Sequence, residues 1–414
     1  MSLSDAEIVI VGGGAVGCAM AYALTQAGQR DVLLIEKQPG LGEVTTSQGA
    51  GLCGQVRDTA ERTRLAMVSA QTFAKLQRDA EVRPDWHPVG SIRIAESKAN
   101  AERFRELKTV ADEAKLETEL LSREAAAKLW PAIDFRRAEA VLWCPTDGYM
   151  RPRDVVNTYR HHAQRAGARF ATGVAVEGFD LVNGRIDGVR TSHGRIACKT
   201  VVNAAGAHAY HIAMLAGLEL PIVPVRHEYF ISVPMPGLRP DLPCFRVPDT
   251  GLYGRCEQDR LLLGGWETKA LRTDPRTYQL NGAPPPVEPD WPVLKQFAHD
   301  FTGLLPGTDS VHMDRVGRGW PTFTPDGRFI LGPSCRVPGF VMAGGCNAHG
   351  ISGSPGLGQL LVEAMFDEHP SEYVRSLSPD RFTETPWEWS TASVAAQRVY
   401  ETYYGARESS AAGV

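Results

Sequence analysis

Ile8-Val9-Ile10-Val11-Gly12-Gly13-Gly14-Ala15-Val16-Gly17, answered by Val32-Leu33-Leu34-Ile35-Glu36, is the stretch that decides the fold. Its first four residues are apolar and β-branched, which suits a buried parallel strand. The glycines satisfy G-x-G-x-x-G directly after that strand and directly before a helix read through Met20–Ala27. Val32–Ile35 reads as a second strand, so the segment is one βαβ unit. Gly12 permits the tight turn and Gly14 lets a pyrophosphate approach the backbone. Gly17 lets the helix pack on the sheet, leaving the first amides, at Ala15 and Val16, aimed at phosphates. Glu36 follows Gly17 by 19 residues, where a carboxylate accepts hydrogen bonds from ribose hydroxyls and disfavours a 2′-phosphate.

The bulk composition bounds what such a unit can serve. The chain has 414 residues, 43% hydrophobic and 22% charged, which describes a globular protein of two domains. A net charge of -4 argues against a nucleic-acid partner. The eight cysteines show no C-x-x-C spacing and no Cys/His cluster, so neither a disulfide framework nor a metal is expected. Ile8–Leu24 is apolar, but Asp5 and Glu7 precede it where a signal peptide carries basic residues. No other apolar run has membrane-spanning length, and the expected location is the cytoplasm, away from any membrane.

Along the chain, Thr59–Leu76, Ala101–Ala114 and Pro152–Ala166 carry helical patterns, and Ser91–Ile94 reads as a half-buried strand. Arg169–Gly178 and Arg185–Thr191 read as antiparallel strands around Asn183-Gly184. Buried-strand runs return at Thr200–Ala204 and at Gly339–Ala343, the latter followed by glycines and a helix through Met365. The expected architecture is α/β (α+β overall): a Rossmann-like dinucleotide domain from residues 1–85, 150–220 and 313–366, and an interleaved substrate domain from 86–149 and 221–312. The latter is built on a large, mostly antiparallel sheet, and 367–414 is a C-terminal extension. Glu408–Val414 is small, polar and expected to fray.

The glycine motif alone does not separate FAD from NAD. The returns at Val201-Val202-Asn203-Ala204-Ala205-Gly206 and Val341-Met342-Ala343-Gly344-Gly345 favour FAD, whose extended form needs backbone contacts far apart in sequence. With these segments, Thr46-Ser47-Gln48-Gly49-Ala50-Gly51-Leu52, Thr322-Phe323-Thr324-Pro325-Asp326-Gly327 and Asn347-Ala348-His349-Gly350, the sequence resembles the D-amino-acid oxidase superfamily of FAD enzymes. The likeness is to its sarcosine oxidase, glycine oxidase and dimethylglycine dehydrogenase branch. Arg398…Tyr403-Tyr404-Gly405 is similar to the segment that leads, in that branch, into a folate-binding domain, which this sequence does not go on to show.

The resemblance implies oxidation of an amine, such as an N-substituted glycine, by hydride transfer to flavin N5. Imine hydrolysis follows, with reoxidation by O2 or another electron acceptor. It implies FAD contacts at Gly12, Gly14, Ala15, Val16, Gly17, Glu36, Lys37, Thr46, Ser47, Gly49, Ala50, Gly51, Leu52, Val174, Ala205, Gly206, Gly344, Gly345, His349, Gly350 and Ile351. Relatives that bond the flavin covalently use a histidine where this sequence has Gln48, or a cysteine where it has Gly319, so non-covalent FAD is expected. His227-Glu228-Tyr229 and Tyr253-Gly254-Arg255 match the branch's His-x-Tyr and Tyr-x-Arg segments. They imply His227 and Tyr253 at the amine, with His227 titrating near neutral pH, and Arg255 at a carboxylate. The competing reading of His227 and Tyr253 is as satisfied core polar groups. Gly350 and Ile351, at the start of the last helix, would turn their amides to the flavin O2. Arg57, Arg315 and Arg318 are further anion-binding candidates. Two alternatives stay open: a 2-hydroxy acid dehydrogenase of the same superfamily, and a non-catalytic flavin-binding subunit.

Overall fold

The computed structural model describes residues 4–405. The apolar runs form the expected sheet. Its six strands lie in the order Ile330–Pro333, Phe340–Gly344, Thr200–Asn203, Ile8–Val11, Val32–Glu36, Arg169–Thr172. All neighbours are parallel except the first pair. Strand Ile8–Val11 sits inside, and its side chains alternate between two cores. Ile8 and Ile10 pack with Met20, Leu24, Tyr159 and Leu357 beneath helices Ala15–Gln26, Pro152–Arg165 and Ser354–Phe366. Val9 and Val11 pack with Leu33, Ile35, Ile212 and Phe340 on the other face. Burial on both faces is why these runs lack polar residues.

Three expectations about these elements change. The segment 169–178 is not one strand: Arg169–Thr172 belongs to the six-stranded sheet and Val176–Val182 to a separate three-stranded one, with the chain turning at Gly173. Helix Ser354–Phe366 begins after Ile351, because Asn347 and Ala348 hold left-handed backbone (φ 45° and 61°) that no helix accommodates. Ser91–Ala95 is not half-buried: it lies inside the second sheet, and Arg93 alone of its five residues escapes full burial.

That second sheet has eight strands, in the order Met313–Gly319, His227–Pro234, Arg260–Gly265, Leu252–Glu257, Cys244–Val247, Ser91–Ala95, Ala140–Cys144, Glu119–Leu121. Only the contact of Cys244–Val247 with Ser91–Ala95 is parallel. Alternation sorts strand His227–Pro234 onto two faces. Phe230 enters a core with Trp130, Phe245 and Phe301, while Tyr229 and Ile231 face the first domain with Tyr253, Leu262 and Trp266. Met313–Gly319 pairs with His227–Pro234, so the expected return to the cofactor domain at residue 313 comes only after this strand. The extension beyond 366 folds back. Its helix Trp389–Glu401 places Tyr400 in the cluster with Tyr253 and Trp266. Residues 408–414 lie outside the described residues.

Candidate active site

At the head of the first sheet the glycine loop is fixed by contacts that exclude side chains. Gly12 has φ of +111°, and a Cβ there would lie 2.5 Å from the Ala204 carbonyl oxygen. A Cβ on Gly17 would lie 1.9 Å from the Gly12 carbonyl oxygen. The loop, the strand end at Ala204 and the first helical turn therefore close on one another. Glu36 is oriented by two backbone amides, Gly13 N–H at 2.6 Å and Gln38 N–H at 2.8 Å. Thr46 Oγ1 accepts from the Ala15 amide at 3.0 Å, tying the Thr46–Leu52 loop to the helix N-terminus.

Two neighbouring cavities run from this point. A smaller one, about 130 Å³, is lined by Gly12, Gly14, Glu36, Lys37, Val174, Ala205 and Gly206. A larger one, about 600 Å³, begins at Gly14, Ala15 and Val16 and reaches the second sheet. Gly14, Thr45, Thr46, Ala204 and Gly206 line both. This is the shape an extended dinucleotide needs: a carboxylate at one end, helix amides between, and a reaction chamber at the other.

Most of the expected cofactor contacts line one cavity or the other. Thr46, Gly49, Ala50, Gly51, Leu52, His349, Gly350 and Ile351 are on the larger one. Five fit less simply. Gly17, Ser47, Gly344 and Gly345 do not line either cavity; Gly17 acts through helix packing. The Ser47 hydroxyl bonds back to the Glu43 and Val44 carbonyls, and Gly344 ends a buried strand that Gly345 follows. Lys37 lines the smaller cavity, but its ammonium donates to the Leu280 and Gly282 carbonyls and meets His208.

The turn that follows Gly345 is strained and braced. Asn347 donates to the Gly345 carbonyl and accepts from the Thr324 amide, holding its own left-handed conformation. His349 is buried, with Nδ1 2.8 Å from the Asn347 carbonyl and Nε2 3.0 Å from the Tyr403 hydroxyl. The amides of Gly350 and Ile351 precede the helix and donate to no acceptor among the described residues. They are free to meet an acceptor in the cavity.

On the opposite wall His227 and Tyr253 meet: His227 Nε2 is 2.7 Å from the Tyr253 hydroxyl, and Nδ1 is 3.1 Å from the Tyr400 hydroxyl. Trp266 stacks on the imidazole, with centroids 4.4 Å apart, and Tyr403 stacks on Trp266 at 3.7 Å. Burial pushes His227 down to about 3, because the apolar surround penalises the imidazolium. The expectation that His227 titrates near neutral pH is corrected: the ring is neutral throughout the physiological range. Burial likewise holds the Tyr253 phenol well above its usual value.

Arg255 is not brought to this site. Its Nε donates to the Ala50 carbonyl at 3.0 Å, its Nη1 pairs with Glu257 at 2.6 Å, and it covers the Tyr149 ring; it does not line the cavity. Arg315 is exposed beside Asp314, and Arg318 donates to the Val287 carbonyl. Arg57 does line the cavity, together with Arg93 and Arg246, which sequence reading did not single out. Tyr400, Tyr403, Tyr404 and Trp266 were also missed as site residues. The density of tyrosines after Arg398 was the available signal.

Behind His227, Arg226 is buried among three carboxylates, 2.8 Å from Glu267 and from Asp290 and 3.8 Å from Glu228. Burial raises Glu228 to about 7 despite Arg226. A carboxyl held above its ordinary value of 4.5 ionises first in the unfolded chain. Its contribution to stability is therefore intact below that value and lost as pH rises through about 7. Glu228→Gln is expected to raise the melting temperature more at pH 8 than at pH 5. Equal shifts in thermal melts at both pH values would contradict this reading.

Comparison with known proteins is consistent with this arrangement. The FAD dependent oxidoreductase family matches residues 7–364. The chain belongs to that family. The oxidoreductase is 28% identical over 375 residues to 4-methylaminobutanoate oxidase (formaldehyde-forming) of Paenarthrobacter nicotinovorans, covering 91% of this chain and 45% of the relative. It is 27% identical over 389 residues to mitochondrial sarcosine dehydrogenase of Homo sapiens, covering 92% and 42%. The chain thus spans less than half the length of these curated relatives. Among solved structures, L-proline dehydrogenase from P.horikoshii superposes with a TM-score of 0.82 at 23% identity, covering 92% of this chain and 98% of that one. The cofactor of the oxidoreductase is FAD, and the glycine loop, Glu36 and the two neighbouring cavities fit it. No helix among the described residues is long and apolar enough to cross a membrane.

Proposed function

We propose that the chain oxidises the C–N bond of an N-substituted amino acid, with FAD held non-covalently. The observation that carries the reading is the neutral His227–Tyr253 pair on the cavity wall opposite the cofactor cradle. FAD, when bound, supplies the two-electron acceptor. The protein's part is to hold the amine uncharged and aligned. A neutral imidazole has one donor and one acceptor nitrogen, and both meet tyrosine hydroxyls. In one tautomer Tyr253 donates to the ring and turns an oxygen lone pair to the cavity, where it accepts an amine N–H. In the other, the ring donates to Tyr253, whose own O–H is then free to point at the amine nitrogen. According to tautomer, the pair thus offers the amine either an acceptor or a donor, and neither arrangement carries a charge. The stacked Trp266 and Tyr403 keep water from the pair. The curated relatives named for a methylamino acid oxidase and a sarcosine dehydrogenase support this substrate class.

Anaerobic bleaching at 450 nm tests the reading. N-methylglycine or a longer N-alkyl amino acid is expected to reduce the flavin, and 2-hydroxyglutarate is not; reduction by the hydroxy acid alone would replace the amine reading.

Non-covalent attachment rests on two wall positions. Gln48 and Gly319 are neighbours, since a Cβ on Gly319 would lie 3.5 Å from the Gln48 Cβ, and neither carries a nucleophile. Cys346 also lines the cavity, but burial pushes its thiol up to about 12, so the nucleophilic thiolate is absent near neutral pH. Acid precipitation is expected to leave the yellow chromophore in the supernatant. A coloured pellet would show a covalent bond.

A further inference from the structure

We propose that residues 278–282, a segment of the substrate domain, complete the cofactor site by forming the outer wall over the adenosine half of FAD. Lys37 and His208 are the positioning residues that clasp this segment in place and so set how long the flavin is held. The clasp concerns FAD itself and does not depend on which bond the chain oxidises.

The smaller cavity is the one with Glu36 on its wall, and Leu280 and Asn281 are the two lining residues that come from the substrate domain. They lie on the long connection between strand Arg260–Gly265 and helix Trp291–Phe301. Leu280 is half-buried and Asn281 exposed, so the chain here is a single layer with the cavity on one side and solvent on the other. Lys37 follows strand Val32–Glu36 and His208 follows Thr200–Asn203, the two neighbours of Ile8–Val11 in the sheet. Their side chains meet, Nζ to Nε2, at 3.0 Å. The Lys37 ammonium also donates to the Leu280 carbonyl at 3.0 Å and the Gly282 carbonyl at 2.8 Å, and His208 Nε2 lies 2.9 Å from the latter. An ammonium has three protons, and these three partners occupy them all. A second anchor follows from Tyr278. Its hydroxyl donates to the Ala207 carbonyl at 2.6 Å, and its own carbonyl is 2.8 Å from His211 Nε2.

Lys37 therefore has no proton left for a ribose or a phosphate, and what it fixes is backbone. The carbonyls it holds belong to residues 280 and 282, on either side of Asn281, so the clasp sets the residue that closes the cavity. Burial, then the charge of Lys37, push His208 down to about 4, which keeps its ring neutral and able to accept from the ammonium. Both ends of the connection are tied elsewhere. The Arg226 amide donates to the Leu271 carbonyl at 2.7 Å and the Thr273 amide to the Pro224 carbonyl at 3.0 Å. Beyond the clasp, Trp320 Nε1 donates to the Pro285 carbonyl at 2.8 Å, within the stiff run Pro284-Pro285-Pro286. The middle can thus lift while both ends stay docked, a local opening rather than an unfolding. Release of the adenosine half past this wall needs that opening, so the strength of the clasp enters the dissociation rate.

Two measurements on the FAD-loaded protein test the clasp without turnover. The first is the rise of free-flavin fluorescence after dilution to nanomolar concentration, and the second is hydrogen exchange read by mass spectrometry. Lys37→Met is expected to release FAD about 10–100-fold faster, the worth of hydrogen bonds from a charged donor. Tyr278→Phe, whose phenol does not line the cavity, is expected to release it about 3–10-fold faster, through the lost bond to Ala207. In both variants exchange is expected to rise within 278–282 while strand Ile8–Val11 stays protected. Unmoved release in both variants would overturn the proposal. So would faster release in Lys37→Met with exchange at 278–282 unchanged, the mark of a lysine that touches the cofactor directly. An equal rise in exchange at Ile8–Val11 would also overturn it, by showing general loosening of the domain. A flavin that stays in the acid pellet would instead remove the non-covalent reading, and the exchange comparison would then decide the clasp alone.

Discussion

Gly17→Ala is expected to yield colourless protein. The added Cβ would fall 1.9 Å from the Gly12 carbonyl oxygen, a backbone atom that has nowhere to go. Gly12 is itself held at positive φ against the Ala204 carbonyl, so the loop cannot retreat without opening the strand end. Relieving the contact means moving the helix off the sheet, and overpacking of this kind costs about 1–3 kcal/mol or more. The displaced helix no longer aims its amides into the cavities, so FAD affinity falls with it. The ratio of absorbance at 450 and 280 nm reads the outcome. Gly217→Ala is the control: its backbone is also left-handed, but a Cβ there meets nothing within 4 Å. It should cost a little stability and keep its colour. A fully flavinated Gly17→Ala protein would show that the close contact does not position the cofactor.

His227→Ala is expected to retain FAD and lose about 10²–10⁴-fold in the rate of flavin reduction by amine, the usual worth of a positioned proton-transfer group. Tyr253→Phe should fall in the same range, and the double variant should fall little further, because the two act through one hydrogen bond. The pH profile separates this neutral pair from an ordinary histidine base. With the imidazole held down at about 3, no inflection from His227 is expected between pH 6 and 9. The rate should instead rise with pH as the free substrate loses its ammonium proton, equally in native and Tyr253→Phe protein. An inflection near pH 6.5 that disappears in His227→Ala would return the histidine to a titrating role. Stopped-flow reduction across that range provides the measurement.

The dinucleotide domain was legible because its determinants are local. Ile8 to Gly17 and Glu36 lie within one βαβ unit, and strand, loop, helix and carboxylate each follow from composition and spacing. His227 and Tyr253 could be named from short patterns, but their partnership depends on a register that only the folded sheet sets. Tyr253 lies opposite Gly264, which lies opposite Tyr229 on the next strand, and His227 is two residues from Tyr229 on the same face. Arg255 misled for a related reason. It shares Tyr253's face of the strand, yet Glu257 and the Ala50 carbonyl capture it before it reaches the cavity. The arginine cluster was the least legible, because Arg57, Arg93 and Arg246 are far apart in sequence and arginines are ordinarily solvated. Tyr403 was announced only by the run of tyrosines after Arg398, because the return of the chain just beyond helix Trp389–Glu401 onto Trp266 is what sets it on the cavity wall.

Strand order has a consequence in time as well as space. Ile8–Val11 can pair with Val32–Glu36 soon after both leave the ribosome, but its other neighbour is Thr200–Asn203, and the next strand is Phe340–Gly344. During synthesis the N-terminal unit must therefore wait, with one apolar edge unsatisfied, for segments made much later. Such long-range closure is slow and leaves open edges prone to mispairing. Free FAD, by binding only the closed sheet, would draw the last steps of assembly forward by mass action. Cells short of riboflavin would then accumulate this chain partly assembled rather than merely inactive.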